Sequence, residues 1–364
     1  MKIIHVITSM RTGGAEKLVC DMLPLMRDQG HQVELAVFDG TPSHLLESVR
    51  QHGITVHIFG HGLKSIYSPQ HISKLKSIII GADIVHSHNT SAQLFTALAA
   101  PAGTTLVTTE HNTDNRRRHL RLLRPLDLRL YRRYKAIACC SEAVASSLLN
   151  YLGPEFADRT SVIENGIDLS EYSAADSGTP AASNETDILM VAAFRPQKDH
   201  LTALRALSLL PSETTLSFAG EGSTRPQIEA EVRRLGLEKR VRFLGPVSNV
   251  AERLRGAGIT LLSTHYEGLS LSSIEAMASG TPLVASDVSG VREVCGGAAL
   301  LFPEGDAEAL AAVLADLLKD PASRRLTADR CRERAARFDI RTTTQAYLDL
   351  YTRLLPATVQ THKD

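Results

Sequence analysis

The chain has 364 residues, 43% of them hydrophobic, with 40 Lys and Arg against 40 Asp and Glu. That is enough length and apolar content for two ordinary domains, and it leaves no global charge to draw the protein to nucleic acid or acidic surfaces. Five cysteines, odd in number and without a C-x-x-C spacing, argue against a disulfide framework or zinc site and fit a reducing cytosol.

The opening run Met1 to Ile7 is too short for a signal core and reads as a strand. Strand-like runs then alternate with helical patterns: Ile3 to Thr8, Val33 to Phe38, Thr55 to Phe59, Asp83 to Ser87, Thr105 to Thr109, Ala136 to Cys140 and Ser161 to Glu164. Alternation of this kind predicts a parallel, doubly wound sheet. Ser170 to Asn184 is small, polar and aperiodic, which predicts a linker over 170–184. A second series follows at Asp187 to Ala193, Thr215 to Ala219, Val241 to Leu244, Ile259 to Ser263, Pro282 to Ala285 and Ala299 to Phe302. The predicted domains are therefore 1–169 and 185–342. Tyr347, Leu350, Tyr351 and Leu354 share one helical face near the end, so a last amphipathic helix over about 343–364 should pack on a core. No apolar run approaches the roughly 20 residues that span a bilayer, so the protein is not expected to be integral to a membrane, and the cysteine usage points to a cytoplasmic location.

Chemistry-bearing residues cluster where strands end. Thr12-Gly13-Gly14-Ala15-Glu16 follows the first strand and opens a helix, where glycines let backbone amides reach a phosphate or an acceptor; alone it reads equally as an ordinary βα turn. His86-Ser87-His88 places two imidazoles on one strand face, but no third ligand is spaced to complete a metal site, so the pair reads as structural or acceptor-side. His111 ends the next strand in Thr109-Glu110-His111-Asn112 and by itself reads as a loop residue. From Arg116 to Lys135 nine cations face one acid, Asp127, for a local charge of 9 − 1 = +8, interleaved with leucines and split by Pro125. Such a stretch reads as a docking surface for anionic lipid headgroups, led by Arg116, Arg117, Arg118, Arg121 and Arg124, or else as a solvated arginine-rich face. Nucleic acid is not an expected partner, because no recognition motif accompanies the charge.

In the second half, Phe194-Arg195-Pro196-Gln197-Lys198-Asp199 directly follows a strand and puts two cations at its carboxyl end, where open α/β sheets bind ligands. The plain alternative is a solvated turn with Lys198 paired to Asp199. Gly220-Glu221-Gly222 lacks the third glycine of a dinucleotide fingerprint and reads as a tight turn. Leu244-Gly245-Pro246-Val247 ends another strand on the binding edge. The most informative stretch is His265 to Gly280, where Glu267 and Glu275 stand eight positions apart across a loop-to-helix junction, with Gly280 as the helix exit. Ser272-Ser273-Ile274-Glu275 is also a capping box, which would make Glu275 a helix-start residue only.

The E-x7-E spacing followed by Ala276-Met277-Ala278-Ser279-Gly280 resembles the donor-site signature of the retaining glycosyltransferases of family 4. That resemblance implies the GT-B fold: two Rossmann-like parallel-sheet domains facing a central cleft, with the C-terminal helix crossing back to the N-terminal domain. It implies that Arg195 and Lys198 hold the leaving diphosphate, that Glu267 and His111 face the donor sugar, and that Glu275 accepts from ribose hydroxyls. Backbone amides of Gly268, Leu269 and Ser270 would serve sugar and phosphate oxygens, and the strand end at Val247 would hold the base. Gly14 joins the donor contacts, while Gly13 and Asn165, the latter in a turn resembling the family's P-N-G-[VI]-D, belong to the acceptor or cleft. Phe194 stands where the family usually has glycine. The implied reaction moves a hexose-type sugar from a nucleotide-diphosphate sugar to a glycan or polyprenyl-linked acceptor in cell-surface polysaccharide or glycolipid synthesis. No cofactor and no metal are expected, since the sequence holds no Asp-x-Asp. A membrane-bound acceptor would place the protein peripherally on the inner face of the plasma membrane. Alternatives are a non-hydrolysing epimerase or glycogen-type synthase on the same architecture and, as a different class, a two-lobed binding protein without catalysis.

Overall fold

The computed structural model describes residues 1–11, 13–113, 118, 122, 124–173 and 184–356. The chain divides into two compact units, one from Met1–Gly166 plus the segment from Ile340, the other Ile167–Asp339. Unit 1 carries β1 (Lys2–Ser9), β2 (Gln32–Asp39), β3 (Thr55–Ile58), β4 (Ile84–His88), β5 (Leu106–Glu110), β6 (Ala136–Cys139) and β7 (Thr160–Val162). They form one parallel sheet in the order β3-β2-β1-β4-β5-β6-β7. Unit 2 carries β8 (Asn184–Val191), β9 (Thr215–Ala219), β10 (Val241–Gly245), β11 (Ala257–Leu262), β12 (Leu283–Ser286) and β13 (Leu300–Phe302), in the order β10-β9-β8-β11-β12-β13. Every pairing is parallel, for example Ile3 beside Val33 and Ile84, and Ile188 beside Leu216 and Ile259. Strands covered on both faces are largely apolar, as Ile3, Ile4, Val6 and Ile7 show, all fully buried.

Helices in unit 1 are α1 (Gly14–Asp28), α2 (His44–Gln51), α3 (Gln70–Ile79), α4 (Thr90–Ala99), α5 (Arg124–Tyr131) and α6 (Glu142–Leu152). Those in unit 2 are α7 (His200–Leu209), α8 (Arg225–Arg234), α9 (Val250–Arg255), α10 (Leu271–Ala278), α11 (Ser289–Cys295), α12 (Ala307–Lys319) and α13 (Pro321–Ala335). Starts are set by side-chain caps where the sequence offers them: Ser43 for α2, Ser141 for α6, Asp306 for α12. Among the described residues no helix is long and apolar enough to cross a membrane.

The last helix, α14 (Ile340–Leu354), belongs to unit 1. Ile340, Tyr347, Leu348, Leu350 and Tyr351 join the core formed by β1, β2 and α1, each fully buried side chain contributing about 1.5–3 kcal/mol. Thr343 Oγ1 donates to Glu164 O at 2.9 Å, fastening the helix to the loop after β7. The chain passes from one unit to the other between Gly166 and Ile167 and returns between Asp339 and Ile340. Ile167 N donates to Phe338 O at 2.9 Å, so the outgoing and returning segments are bridged to each other. The passage thus precedes the polar stretch expected as linker, of which 174–183 lie outside the described residues. Composition marks an irregular segment, whereas the crossing is set by backbone pairing that composition does not display.

Three histidines lie inside unit 1 on adjacent strands: His5 on β1, His86 and His88 on β4, all without solvent exposure. Tyr347 and Tyr351 cover them, with ring centroids 5.1 and 5.8 Å from His86. Burial pushes His5 down to about 3, and burial together with neighbouring rings holds His86 and His88 well below 6.5. These rings fold neutral, while the unfolded chain takes up protons near pH 6.5. Stability from this set is full above that pH and is lost as pH falls toward the lowered folded values, about 3 for His5, by up to ~1.4 kcal/mol per pH unit per histidine. Thermal midpoints measured from pH 7.5 to 5 should fall steadily, and His5→Leu should make the decline shallower; equal slopes in the two proteins would contradict the burial argument.

Candidate active site

In each sheet the strand order reverses beside the first strand, between β1 and β4 and between β8 and β11. Loops leaving those strands at their carboxyl ends diverge and leave a crevice, the place where open α/β sheets bind ligands. In unit 2 these are the loop after β8, with Arg195 and Lys198, and the loop after β11, with Glu267. The fold brings the two predicted motifs together.

The loop after β8 is anchored by Phe194. Its fully buried ring stacks on His200 with centroids 4.3 Å apart and meets Phe218 edge-on at 5.9 Å. Phe194 N donates to Glu221 O, and Phe194 O accepts from Thr224 N. Across from it, Gly220 and Gly222 have φ +147° and +157°, and a Cβ would lie 2.1 Å from Ala192 O at Gly220 and 2.2 Å from Phe194 O at Gly222. No other residue fits. The turn at 220–222 is a packing device for the cationic loop, a role invisible in its spacing.

Beyond Phe194, Arg195 is exposed and its guanidinium makes no hydrogen bond or ion pair among the described residues. Lys198 is different: Nζ pairs with Glu267 Oε1, with side-chain exposures of only 16% and 11%. Thr264 Oγ1 donates to the same carboxylate oxygen at 3.0 Å. Gln197 laces the two loops, Nε2 donating to Tyr266 O at 2.6 Å and its carbonyl accepting from His265 N at 2.9 Å. Asp199 does not take Lys198. It caps α7, accepting from Thr202 N, so the solvated-turn alternative fails.

Helix α10 starts at Ser270, whose Oγ accepts from Ser273 N at 3.3 Å. Glu275 is thus the fifth helical residue and not the third, which removes the capping-box reading. Leu269 and Ser270 are buried, and the first-turn amides of Leu271 and Ser272 have no acceptor within the helix. Gly280, with φ +73°, supplies the expected left-handed exit. Val247 follows β10 two residues beyond its end, where Gly220 N donates to Gly245 O at 2.8 Å. One contributor escaped the sequence reading: at Gly290 in α11 a Cβ would lie 2.5 Å from Glu267 O and 2.8 Å from Gly268 O. A glycine in the first turn of a helix is the only signal it left.

In unit 1, Gly13 is the extended N-cap of α1, and the Glu16 carboxylate occupies the space a Cβ would need. Asn89, at φ +72°, donates through Nδ2 to Glu16 Oε1 at 3.5 Å. Asn165 is buried, with Oδ1 unpartnered among the described residues. His111 follows β5, and burial pushes it down to about 4. Its Nε2 lies 3.3 Å from His88 Nδ1, and His88 Nε2 lies 3.1 Å from His5 Nδ1. His5 therefore supplies the third imidazole that spacing along β4 did not reveal. Ligand atoms of His5, His86 and His88 lie within 4.8 Å of one another, the set that could hold a cation among the described residues.

The basic segment is more occupied than its charge suggests. Arg118, expected at a docking face, has a side chain only 8% exposed and pairs with Glu110 Oε2 at 2.7 Å, while Tyr131 OH and Gln93 Nε2 hold Oε1. A buried carboxylate demanded a cation and claimed this one. Arg124 donates to Tyr151 O at 2.9 Å at the end of α6, and Arg133 donates to Ala100 O at the end of α4. Arg116, Arg117 and Arg121 lie outside the described residues.

Gly290→Ala should displace the backbone carrying Glu267. We expect activity to drop at least about tenfold with a stability loss of about 1–3 kcal/mol, measured by initial rate and urea midpoint; unchanged kinetics would show that this close approach does not matter.

Residues 174–338 match the family described as Glycosyl transferases group 1, and residues 12–171 match Glycosyltransferase Family 4. The chain is 29% identical over 285 residues to a glycogen synthase of Mycobacterium tuberculosis, covering 74% of this chain and 68% of that protein. It is 27% identical to the phosphatidyl-myo-inositol mannosyltransferase of Mycolicibacterium smegmatis, covering 90% and 86%. Among solved structures, HepE of Anabaena in complex with UDP-glucose superposes with TM-score 0.86 at 22% identity, over 97% of this chain and all of that one. Sucrose-phosphate synthase of Thermosynechococcus elongatus gives 0.82 at 22%, over 97% and 99%. With two doubly wound sheets and both family matches in register with them, the chain belongs to the family 4 glycosyltransferases of GT-B fold.

Proposed function

We propose that this glycosyltransferase is a retaining, metal-independent hexosyltransferase that uses a nucleotide-diphosphate sugar. The observation that carries the reading is the meeting of Lys198, Glu267 and the unpaired Arg195 at the switch point of unit 2. A departing diphosphate gains negative charge as the glycosidic bond breaks. A fixed guanidinium can fork to its oxygens, an ammonium adds a point charge, and first-turn amides of α10 supply dipoles. The UDP-glucose bound by HepE is the kind of donor this arrangement suits. Glu275 would take the ribose hydroxyls, as a carboxylate is a pure acceptor, and Val247 the base. Glu267 and His111 would position the sugar. In the favoured step the acceptor oxygen bonds to the anomeric carbon on the face from which the diphosphate leaves, the carbon–diphosphate bond breaks, and a diphosphate oxygen takes the acceptor proton.

Arg195→Ala should lower kcat about 10²- to 10³-fold with an unchanged melting temperature, and Glu275→Ala should abolish the stabilisation that UDP-, GDP- or ADP-sugars confer in a thermal-shift panel. Full turnover by the double variant, inversion of the anomeric configuration in the product, or loss of turnover with a chelator would each refute its part of the reading. A second reading, a glucan synthase, is favoured by the similarity to glycogen synthase, and labelled donor offered with either an α-glucan or a polyprenyl-linked acceptor separates the two.

The acceptor we favour is lipid-linked, with the protein docked peripherally. Leu122 is 95% exposed within the basic segment, and Leu126 and Arg124 are also at the surface. Apolar side chains among arginines suit an anionic interface. Cosedimentation with phosphatidylglycerol vesicles should weaken on combined Arg116→Glu, Arg117→Glu and Arg121→Glu substitution; binding indifferent to lipid charge would exclude docking.

A further inference from the structure

His5, His88 and His111 form a line of three rings inside unit 1, joined by two hydrogen bonds. His86 stands beside the line, not in it. Its Nδ1 lies 2.6 Å from Tyr351 OH and its Nε2 2.7 Å from Thr109 Oγ1, so both nitrogens are already served by hydroxyls. A neutral imidazole has one N–H and one lone pair. Three such rings linked in series must therefore be ordered head to tail, and only two orders exist.

In the first, His111 Nε2–H donates to His88, His88 Nε2–H donates to His5, and His5 keeps an N–H on Nε2. In the second, His5 Nδ1–H donates to His88 Nε2, His88 Nδ1–H donates to His111 Nε2, and His111 keeps an N–H on Nδ1. The two end nitrogens, His5 Nε2 and His111 Nδ1, are the ones without partners among the described residues. They are not equivalent. His5 has no solvent exposure on the central strand, so an N–H sealed there would stay without an acceptor, a rarer and costlier state than an idle lone pair. His111 is only half-buried as a residue and opens the loop after β5; its Nδ1 is also enclosed, but a small movement of that loop can bring the N–H to an oxygen, which the central strand cannot do for His5.

We propose that His5 and His88 are positioning residues that lock His111 as its Nδ1–H tautomer, so that it presents a neutral hydrogen-bond donor at the carboxyl end of β5. His111 then has no free lone pair and cannot serve as a base. That the donor serves an oxygen of the transferred sugar rests on the reading of His111 given above; the tautomer does not.

The test is the nitrogen-15 spectrum of the full chain labelled at histidine, with long-range proton correlations assigned through single His→Gln variants and no substrate present. At pH 7, His5, His88 and His111 should each carry the proton on Nδ1. His88→Leu should leave His111 averaging between tautomers and reduce kcat about tenfold, the worth of one hydrogen bond. His88→Asn, which returns an amide donor near the Nδ1 position, should recover the His111 signal and most of that rate. A proton on His111 Nε2, averaging in the wild-type protein, or a stoichiometric transition metal on the rings of the purified protein would overturn the proposal. Should His88→Leu fail to fold, the wild-type spectrum decides alone. If the tautomers are as stated but His111→Ala transfers sugar at the wild-type rate, the locking stands and the sugar contact falls.

Discussion

Both sheets wind outward in two directions from their first strand, and this reversal is the constraint on which the placement of chemistry depends. Between two strands whose crossovers run to opposite faces, no helix covers the carboxyl ends, and backbone and side chains there are free to meet a ligand. Arg195 and Lys198 follow β8, Glu267 follows β11, and these strands are neighbours though some 70 residues apart, as the Lys198–Glu267 separation records. His5 and His88 are brought together on β1 and β4 in the same way, across 83 positions.

A site for a charged leaving group has to hold cations before the anion arrives, and a lone buried charge costs several kcal/mol. The two cations of unit 2 avoid that cost differently. Lys198 is enclosed and neutralised by Glu267, whose oxygen also accepts from Thr264. Arg195 is left in solvent, where an unpaired guanidinium is cheap, and remains open to an anion. The positive potential is thus present without an unpaired buried ion. The histidines of unit 1 solve the matching problem for neutral groups: enclosed imidazoles are tolerated because neighbouring nitrogens and hydroxyls take up nearly every donor and acceptor.

The strands were readable because most are short, largely apolar runs bounded by helical periodicity, and the last helix because Tyr347, Leu350 and Tyr351 share one face. The donor motif was readable because its residues are nearly contiguous. What spacing could not show depended on contacts distant in sequence. Asp199 is the nearest acid to Lys198 along the chain, yet it is turned away to cap α7, and Glu267 takes its place. His86 and His88 lacked a third imidazole only until β1 was laid beside β4. Arg118 read as surface charge because Glu110, which holds it, is a strand residue whose burial no local pattern reveals. The unit boundary at Gly166 is equally silent, being fixed by the bridge from Ile167 to the segment before α14.

Phe194 shows how a departure from the family pattern is accommodated. Where a glycine would let the loop bend by its own freedom, here the bend is imposed from outside, by a ring stacked on His200 and by backbone bonds to Glu221 and Thr224. The close approach this requires is met by the facing segment, where Gly220 and Gly222 bring bare backbone against Ala192 and Phe194 carbonyls. A loop fixed by packing loses less entropy when it meets a ligand than one held by a flexible residue, so the stacked ring and the two backbone bonds favour a preorganised cationic loop.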